Sequence, residues 1–326
     1  MADPNNNRRR PNLLTGGCSA GKQYLASKTA PSIFSVEVVV RHEKQNNLKA
    51  MRKYVALTDK ATDVMDTGVP TDELTKAKRR KFGERQQTGF VVHSSDTQLF
   101  ILTTAHAVDC VFKKGVHQVT AEELNLVFLF GVACTHHEAQ IQADYPDGNV
   151  SELLRSYCDA HVVALDIEKD LLLLSVTKDE LCLQDVDVGG VFVPCSSDHP
   201  IIHLADLPPE QSDLSLLQGW PPLRANSSIW GSVSNLERPY DVLTSCNTKG
   251  YTMRLTEFHE FDSANGFSGG PVINGDGQCM AVFHAVMEDA KCGYAICLED
   301  VREFLTNALE NLQLLEDNED GDGGHA

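Results

Sequence analysis

Residues 265–271 read Asn-Gly-Phe-Ser-Gly-Gly-Pro and stand directly before the apolar pair Val272-Ile273. The glycines around Ser268 let the backbone adopt left-handed or crowded conformations, which predicts a tight turn that exposes the hydroxyl before a strand. The same turn can aim the backbone N–H groups of Gly266 and Ser268 at one point, where the negative oxygen of a tetrahedral intermediate would form. The segment therefore indicates a serine nucleophile, with an ordinary glycine-rich hairpin loop as the structural alternative.

A histidine follows an apolar strand far upstream. His106 lies in Thr103-Thr-Ala-His-Ala-Val108, directly after the strand Leu99–Leu102. An imidazole that titrates near pH 6.5 can accept a proton from a hydroxyl and return it to a leaving amine. His106 is therefore the candidate general base, although a histidine at a strand end is by itself more often a surface residue.

A carboxylate at the edge of a second apolar run is the candidate partner of that base. Asp170 directly precedes Leu171-Leu-Leu-Leu-Ser175, where partial burial costs free energy unless another group bonds the carboxylate. An imidazole N–H is a suitable donor. Asp166 is the competing carboxylate, but it lies five residues before the apolar run. We expect Asp166 to be solvated.

Together these three segments resemble the chymotrypsin-like (trypsin-like) serine protease family, in which the catalytic residues occur in the order His, Asp, Ser, each next to a strand. The resemblance implies a triad of His106, Asp170 and Ser268, with an oxyanion hole formed by the N–H groups of Gly266 and Ser268. It implies a serine endopeptidase that hydrolyses protein or peptide substrates through an acyl-enzyme, without a cofactor.

The similarity is greatest to the HtrA/Deg branch of that family. Thr88-Gly-Phe-Val-Val92 with Ile101–Val108 looks like the first barrel of that branch, and Trp230-Gly-Ser-Val-Ser234 resembles a strand of its second barrel. The resemblance covers about residues 31–313. Little chain follows this region, and we therefore expect no PDZ domain, which is typical of the branch.

Two departures concern disulfide bonds and activation. Ala107 follows the candidate histidine where secreted trypsins have a cysteine, and Phe267 precedes the candidate serine where those enzymes have an aspartate that receives a new N-terminus. The resemblance therefore implies neither that disulfide nor activation by cleavage.

The fold class follows from short apolar runs separated by turn residues from residue 88 onward, which predict an all-β sandwich or barrel. The resemblance narrows this to two six-stranded antiparallel β-barrels of the chymotrypsin type with a C-terminal helix. Apolar residues at three-four spacing predict that helix. The expected organisation is a flexible leader over 1–30, an N-terminal barrel over 31–185 with a long polar insertion at about 43–87, a C-terminal barrel over 186–297, a helix over 298–314 and an acidic disordered tail over 315–326.

Charge is distributed unevenly along the chain, whose net charge is −18. Residues 41–85 hold 12 Lys and Arg against 7 Asp and Glu, whereas residues 86–326 hold 11 against 37. We therefore expect no nucleic-acid partner, because the main body should repel phosphate backbones. The basic cluster Lys76-Ala-Lys-Arg-Arg-Lys81 indicates nuclear import or docking, with a solvated, partly helical loop as the favoured alternative.

Ten cysteines lie scattered among apolar runs, which favours buried thiols and a reducing compartment. The N-terminus has no apolar stretch behind its positive charges, and no run is long enough to span a bilayer. We expect a cytoplasmic protein without a membrane partner, with a nuclear location as the alternative. The sequence is compatible with a monomer and with a homo-oligomer.

Other residues bear on substrate preference and on metal binding. Asp262 stands six residues before Ser268, where trypsin-like enzymes hold the aspartate that selects basic residues, although it could equally be a turn cap. His284 lies near the position at which some relatives bind an acidic or amide side chain, and Phe283 beside it is a further candidate for lining the pocket. The two readings imply opposite preferences. Cys134 and His136-His137 suggest a metal site, but no second cluster with ligand spacing is apparent, and we predict none.

A second hypothesis belongs to a different class of function. A protease-like fold can serve as a binding or scaffold module, with its basic insertion and acidic body contacting partners. The presence of all three catalytic side chains favours the enzyme. Latency is a variant of this alternative, because an oxyanion turn can stay misfolded until a partner or oligomer reshapes it.

Overall fold

The computed structural model describes residues 19–57, 84–115, 119–134, 136, 157–181, 184–185, 192–193, 195, 197–221, 226–243, 247–263, 265–287 and 292–314. Two closed antiparallel β-barrels of six strands each make up most of this part of the chain. This architecture, with its C-terminal helix, confirms the predicted fold class.

In each barrel the first three strands of the chain are neighbours in sequence order, and the last three follow in reverse order. The first barrel consists of β1 Ile33–Val40, β2 Glu84–Ser94, β3 Gln98–Thr104, β4 Phe128–Cys134, β5 Cys158–Asp166 and β6 Leu171–Thr177. Around it the order is β1-β2-β3-β6-β5-β4. A short pair, β7 Gln184–Asp185 and β8 Phe192–Val193, lies in the connection to the second barrel.

The second barrel consists of β9 Leu214–Gly219, β10 Ser227–Pro239, β11 Arg254–His259, β12 Pro271–Ile273, β13 Cys279–Met287 and β14 Cys292–Cys297. Its order is β10-β11-β14-β13-β12-β9. The α-helices are α1 Ser19–Thr29, α2 Gln45–Leu57, α3 Ala121–Val127 and α4 Leu298–Asn311. Short 3-10 segments occur at Ala30–Ser32, His42–Lys44, Ala105–Val111, Lys178–Glu180 and Tyr240–Val242.

Local sequence explains where these elements begin and which faces they bury. The four leucines that open β6 are all buried, which fits an unbroken apolar run rather than an alternating one. Thr120 caps α3 by accepting from the N–H of Glu123, whose carboxylate accepts from the N–H of Thr120 in return. The apolar stripe of α4 is buried at Val301, Phe304 and Leu305.

Part of the expected flexible leader is a docked helix. Leu25 and Thr29 of α1 are buried, and the Thr29 hydroxyl donates to the Gln218 side-chain oxygen at 2.5 Å. The Gln218 amide in turn donates to the carbonyl of Ala26 at 2.9 Å. This differs from the sequence prediction because α1 docks through side-chain hydrogen bonds to β9 rather than through an apolar stripe, and periodicity therefore does not reveal it.

The predicted polar insertion begins with α2, whose Leu48 is buried. The basic cluster of residues 76–81 and the acidic tail of residues 315–326 lie outside the described residues. In the described part of the chain no helix is long and apolar enough to cross a bilayer.

Candidate active site

Asp170 lies at the entry to β6 and is completely buried. Its Oδ1 accepts from the backbone N–H of His106 at 2.6 Å, and its Oδ2 lies 2.7 Å from His106 Nδ1. A second imidazole reaches the same oxygen, because His284 Nδ1 is 2.6 Å from Oδ2. Since an ionised carboxylate only accepts, both rings donate from Nδ1. In neutral His106 this leaves the lone pair on Nε2.

Burial by itself raises the pKa of Asp170, but the charge and hydrogen bonds of His106, followed by those of His284, outweigh it. The pKa of this carboxyl is therefore held well below its ordinary value, and Asp170 stays ionised. For His106, burial lowers the pKa. The charge and hydrogen bond of Asp170 raise it, and together they outweigh the effect of burial. The net effect is a pKa of His106 above its ordinary value of 6.5.

Ser268 stands in the turn before β12 and is half-buried. Its hydroxyl donates to the backbone carbonyl of His284 at 3.1 Å, and it makes no hydrogen bond to His106 within the described residues. The His284 ring contacts the His106 ring edge to face, with centroids 5.2 Å apart. His284 therefore contacts both candidate partners: its ring lies against His106 and its carbonyl against Ser268.

Thr88 of the first barrel forms two hydrogen bonds to the turn that carries Ser268, here called the serine turn. Its hydroxyl donates to the carbonyl of Gly266 at 2.6 Å, and its N–H donates to the carbonyl of Ser268 at 2.8 Å. Gly266 has a φ of +98°, a left-handed conformation that side chains disfavour. No acceptor among the described residues bonds the N–H of Gly266 or of Ser268. Within the described part of the chain, the two N–H groups predicted to form the oxyanion hole therefore make no hydrogen bond.

Asp166 does not contact His106. Its Oδ1 accepts from the N–H of Lys169 at 2.9 Å, closing the turn between β5 and β6. Burial is the largest influence on its pKa, which lies above the ordinary value. Asp166 is therefore a partly buried turn residue rather than the freely solvated group that its distance from the apolar run predicted.

The three candidate pocket residues differ in their surroundings, although Phe283 and His284 are neighbours in β13. Asp262 is exposed, whereas Phe283 is 2% exposed and packs edge to face on the buried Phe261 at 6.2 Å. His284 is turned toward Asp170. The structure therefore places Phe283 in the core of the second barrel and His284 at the candidate triad.

Sequence reasoning missed two contributions to this site. From sequence, His284 is a candidate only for substrate selection, and its bond to Asp170 depends on a bulge in β13 that has no sequence signature. From sequence, Thr88 is only the first residue of a family motif. A threonine before the Gly89-Phe90 pair gives no local signal that it will bond a turn 178 residues further along the chain.

Comparison with known proteins supports this fold. The family model of the trypsin-like peptidase domain matches residues 87–282, which include all three candidate catalytic residues. The active form of the Rv3671c protease from M. tuberculosis is a structural neighbour with 16% sequence identity and a TM-score of 0.50, covering 91% of this chain and 90% of that one. Deg5 has 16% identity and a TM-score of 0.47, covering 87% of this chain and 91% of its own. No curated protein matches the chain.

Proposed function

The chain belongs to the trypsin-like peptidase family, and on that premise we propose that it is a serine endopeptidase with Ser268 as nucleophile, His106 as general base and Asp170 as the carboxylate that orients His106. The observation that carries the proposal is the pair of hydrogen bonds from His106 to the buried Asp170, at 2.6 and 2.7 Å. A carboxylate bound to Nδ1 sets the tautomer that a base acting through Nε2 requires.

The reaction follows from these positions. Ser268 Oγ attacks the carbonyl carbon of the scissile peptide while His106 Nε2 accepts the hydroxyl proton. The resulting oxyanion accepts hydrogen bonds from the N–H groups of Gly266 and Ser268. Collapse of this intermediate breaks the C–N bond, the amine leaves with the proton from His106, and the acyl group stays on Ser268. Water then attacks the ester carbon while His106 accepts its proton. The bond from this carbon to Ser268 Oγ breaks, the carboxylic acid leaves, and Ser268 regains its proton from His106.

A latent peptidase is the second candidate, favoured by the hydrogen bond of Ser268. The hydroxyl donates to the carbonyl of His284 rather than to His106. Catalysis requires Ser268 to turn from that carbonyl toward Nε2 of His106. Catalytic hydrogen bonds often form only when substrate binds. A latent enzyme differs in that the turn needs a partner or a second copy of the chain before it can react.

Labelling with a fluorophosphonate tests the proposal without knowledge of the natural substrate, because the reagent forms a covalent bond only with an activated serine. We expect the wild-type protein to be labelled at Ser268 and Ser268→Ala to be unlabelled. Ser263→Ala is the matched control in the same loop, and it should label like the wild type.

Equal labelling of Ser268→Ala and the wild type would refute the assignment of the nucleophile. A folded wild-type protein that resists the reagent would favour the latent form. Peptide mapping by mass spectrometry identifies the labelled residue in each case.

A further inference from the structure

Two cysteines and two histidines converge at the end of β4, in a group that shares no residue with the candidate triad. Cys134 Sγ, Cys195 Sγ and one ring nitrogen each from His136 and His199 all lie within 4.8 Å of one another. Cys134 is buried and the other three are half-buried. Two thiolates and two imidazoles in a compact group are the donor set of structural zinc sites.

The four residues come from two distant stretches. Cys134 ends β4 and His136 follows two residues later, whereas Cys195 and His199 lie in the connection between the barrels. The sequence pattern is thus Cys-x-His followed much later by Cys-x-x-x-His. Cys195 and His199 are the second ligand pair that is not apparent from the sequence, and the fold brings them next to Cys134 and His136.

The distances match a tetrahedral metal. Zn–S bonds of about 2.3 Å and Zn–N bonds of about 2.0–2.1 Å at tetrahedral angles place neighbouring ligand atoms about 3.3–3.8 Å apart, with the pairs that include sulfur at about 3.5–3.8 Å. Cys134 Sγ and Cys195 Sγ are 3.9 Å apart, and Cys195 Sγ is 3.8 Å from His136 Nδ1. The His136 and His199 rings meet edge to face with centroids 5.0 Å apart.

His199 is oriented as a metal ligand. Its Nδ1 lies 2.7 Å from the carbonyl oxygen of Pro31, and because a carbonyl only accepts, Nδ1 carries the hydrogen. Neutral His199 therefore has its lone pair on Nε2. That atom is buried and has no hydrogen-bond partner among the described residues. A carbonyl holding one ring nitrogen while the other faces a metal is the usual arrangement around bound histidines.

A disulfide bond does not explain the cluster. The two sulfur atoms are 3.9 Å apart, nearly twice the S–S bond length of about 2.05 Å. A disulfide between Cys134 and Cys195 would also leave the buried Nε2 of His199 without a partner. A metal ion would bond all four groups at once.

We propose that Cys134, His136, Cys195 and His199 bind one Zn²⁺ as a structural site. Two thiols lose their protons when the ion binds, and the two thiolates neutralise its double positive charge. Mixed sulfur and nitrogen ligands favour zinc over the oxygen-preferring Mg²⁺ and Ca²⁺. All four positions are filled by the protein, which leaves no open position for water or substrate.

The ion would join three parts of the chain. It links the end of β4 to the connection between the barrels, and through His199 and Pro31 it reaches the segment that leads into β1. The N–H of Cys195 also donates to the carbonyl of Leu181, just past β6. Zinc would thereby hold the connection against the first barrel.

Metal analysis of the purified chain is the direct test. After dialysis against EDTA under reducing conditions and reconstitution with Zn²⁺, we expect about one zinc per chain by mass spectrometry of the metal. Cys134→Ser with Cys195→Ser should lower this below about 0.2 per chain. The matched control is Cys292→Ser with His259→Ala, because those two atoms are also 3.8 Å apart but no third ligand among the described residues joins them. The control should keep its zinc.

A spectrum of the wild-type protein covers the case in which the double variant does not fold. Co²⁺ in place of zinc should give the strong visible bands of tetrahedral coordination and the near-ultraviolet bands of thiolate bonding. Octahedral Co²⁺ spectra, zinc retained by the double variant, or no bound metal in the wild type would each overturn the proposal. A disulfide between Cys134 and Cys195 in protein isolated from a reducing cytosol would overturn it as well.

Discussion

Asp170 combines complete burial with an unfavourable backbone conformation. Its φ is +56°, a left-handed value that costs a residue other than glycine about 1 kcal/mol or more. Neighbouring bonds hold it there, because its carbonyl accepts from Ala105 at 3.1 Å and its N–H donates to Ile167 at 3.3 Å. This conformation places the carboxylate against both the backbone and the ring of His106.

The raised pKa of His106 has a direct consequence for reactivity. His106 can accept a proton only when it is neutral, and protonation below its pKa removes that capacity. We therefore expect the second-order rate constant for fluorophosphonate labelling to rise with pH through a midpoint above 6.5. Rates measured between pH 5 and 9 give this midpoint.

Asp170→Asn provides the comparison for that profile. It removes the charge that raises the pKa of His106 and disturbs the tautomer, and labelling should fall by about a thousandfold or more. Asp166→Asn should stay within about tenfold of the wild type, because the hydrogen bond that Asp166 makes within the described chain is to its own turn. A midpoint at or below 6.5 in the wild type would contradict the proposed pairing.

At the scale of the element, a bulge in β13 brings His284 to the site. The pairing of β13 with β14 shifts register between Phe283 and Ala285, so that His284 is the extra residue. Bulges commonly redirect a side chain beside an active site. Here the bulge turns the imidazole of His284 toward Asp170 and its carbonyl toward Ser268. Tyr240 and Tyr251 pack edge to face on the same ring at 5.6 and 5.7 Å.

His284 is therefore a positioning residue for Asp170. Removing a hydrogen bond to a charged group costs about 1.5 kcal/mol or more, which corresponds to roughly tenfold in rate. We expect His284→Ala to lower the labelling rate by about that factor. The midpoint of its pH profile should move upward, because Asp170 then interacts more strongly with protonated His106.

His284→Asn tests whether the lost donor is responsible. The asparagine amide can donate from nearly the position of Nδ1 and should restore most of the rate. An unchanged rate in His284→Ala, or equal losses in both variants without a shift of the midpoint, would show that His284 does not act through Asp170.

At the scale of the whole molecule, Thr88 of the first barrel bonds the serine turn of the second. In addition, α4 bonds Lys169 in the turn that leads to Asp170. Asp300 of α4 is 1% exposed and accepts from Lys169 Nζ at 2.7 Å and from the N–H of Arg254 at 2.6 Å. Lys169 directly precedes Asp170. The helix thus joins β11 to the turn that carries the candidate catalytic carboxylate.

Asp300→Ala should lower the free energy of unfolding by about 2 kcal/mol. This loss is smaller than that for breaking a fully buried ion pair, because Lys169 is partly exposed. Burial raises the pKa of Asp300, but the bonds to Lys169 and Arg254 outweigh it and lower the net value. Its contribution is therefore present above the unfolded pKa of about 3.9 and is lost as the pH falls through the lower folded pKa.

Urea denaturation at pH 7 and at low pH measures both effects. Glu310→Ala in the same helix is the control, since Glu310 is exposed, and it should change stability by less than about 0.5 kcal/mol. Equal losses in the two variants at pH 7 would show that the Asp300 contacts do not stabilise the fold.

The sequence by itself determined the elements whose signals are local. The apolar runs, the amphipathic spacing of α4 and the glycine-rich turn around Ser268 each specify a structure within a few residues, and the order of His106, Asp170 and Ser268 indicated the family. Tertiary structure alone decided the docking of α1, the orientation of His284 toward Asp170 and the convergence of Cys134 and His136 with Cys195 and His199. These features depend on strand register, a bulge and barrel closure, which bring distant residues within hydrogen-bond or ligand distance and leave no periodic pattern in the chain.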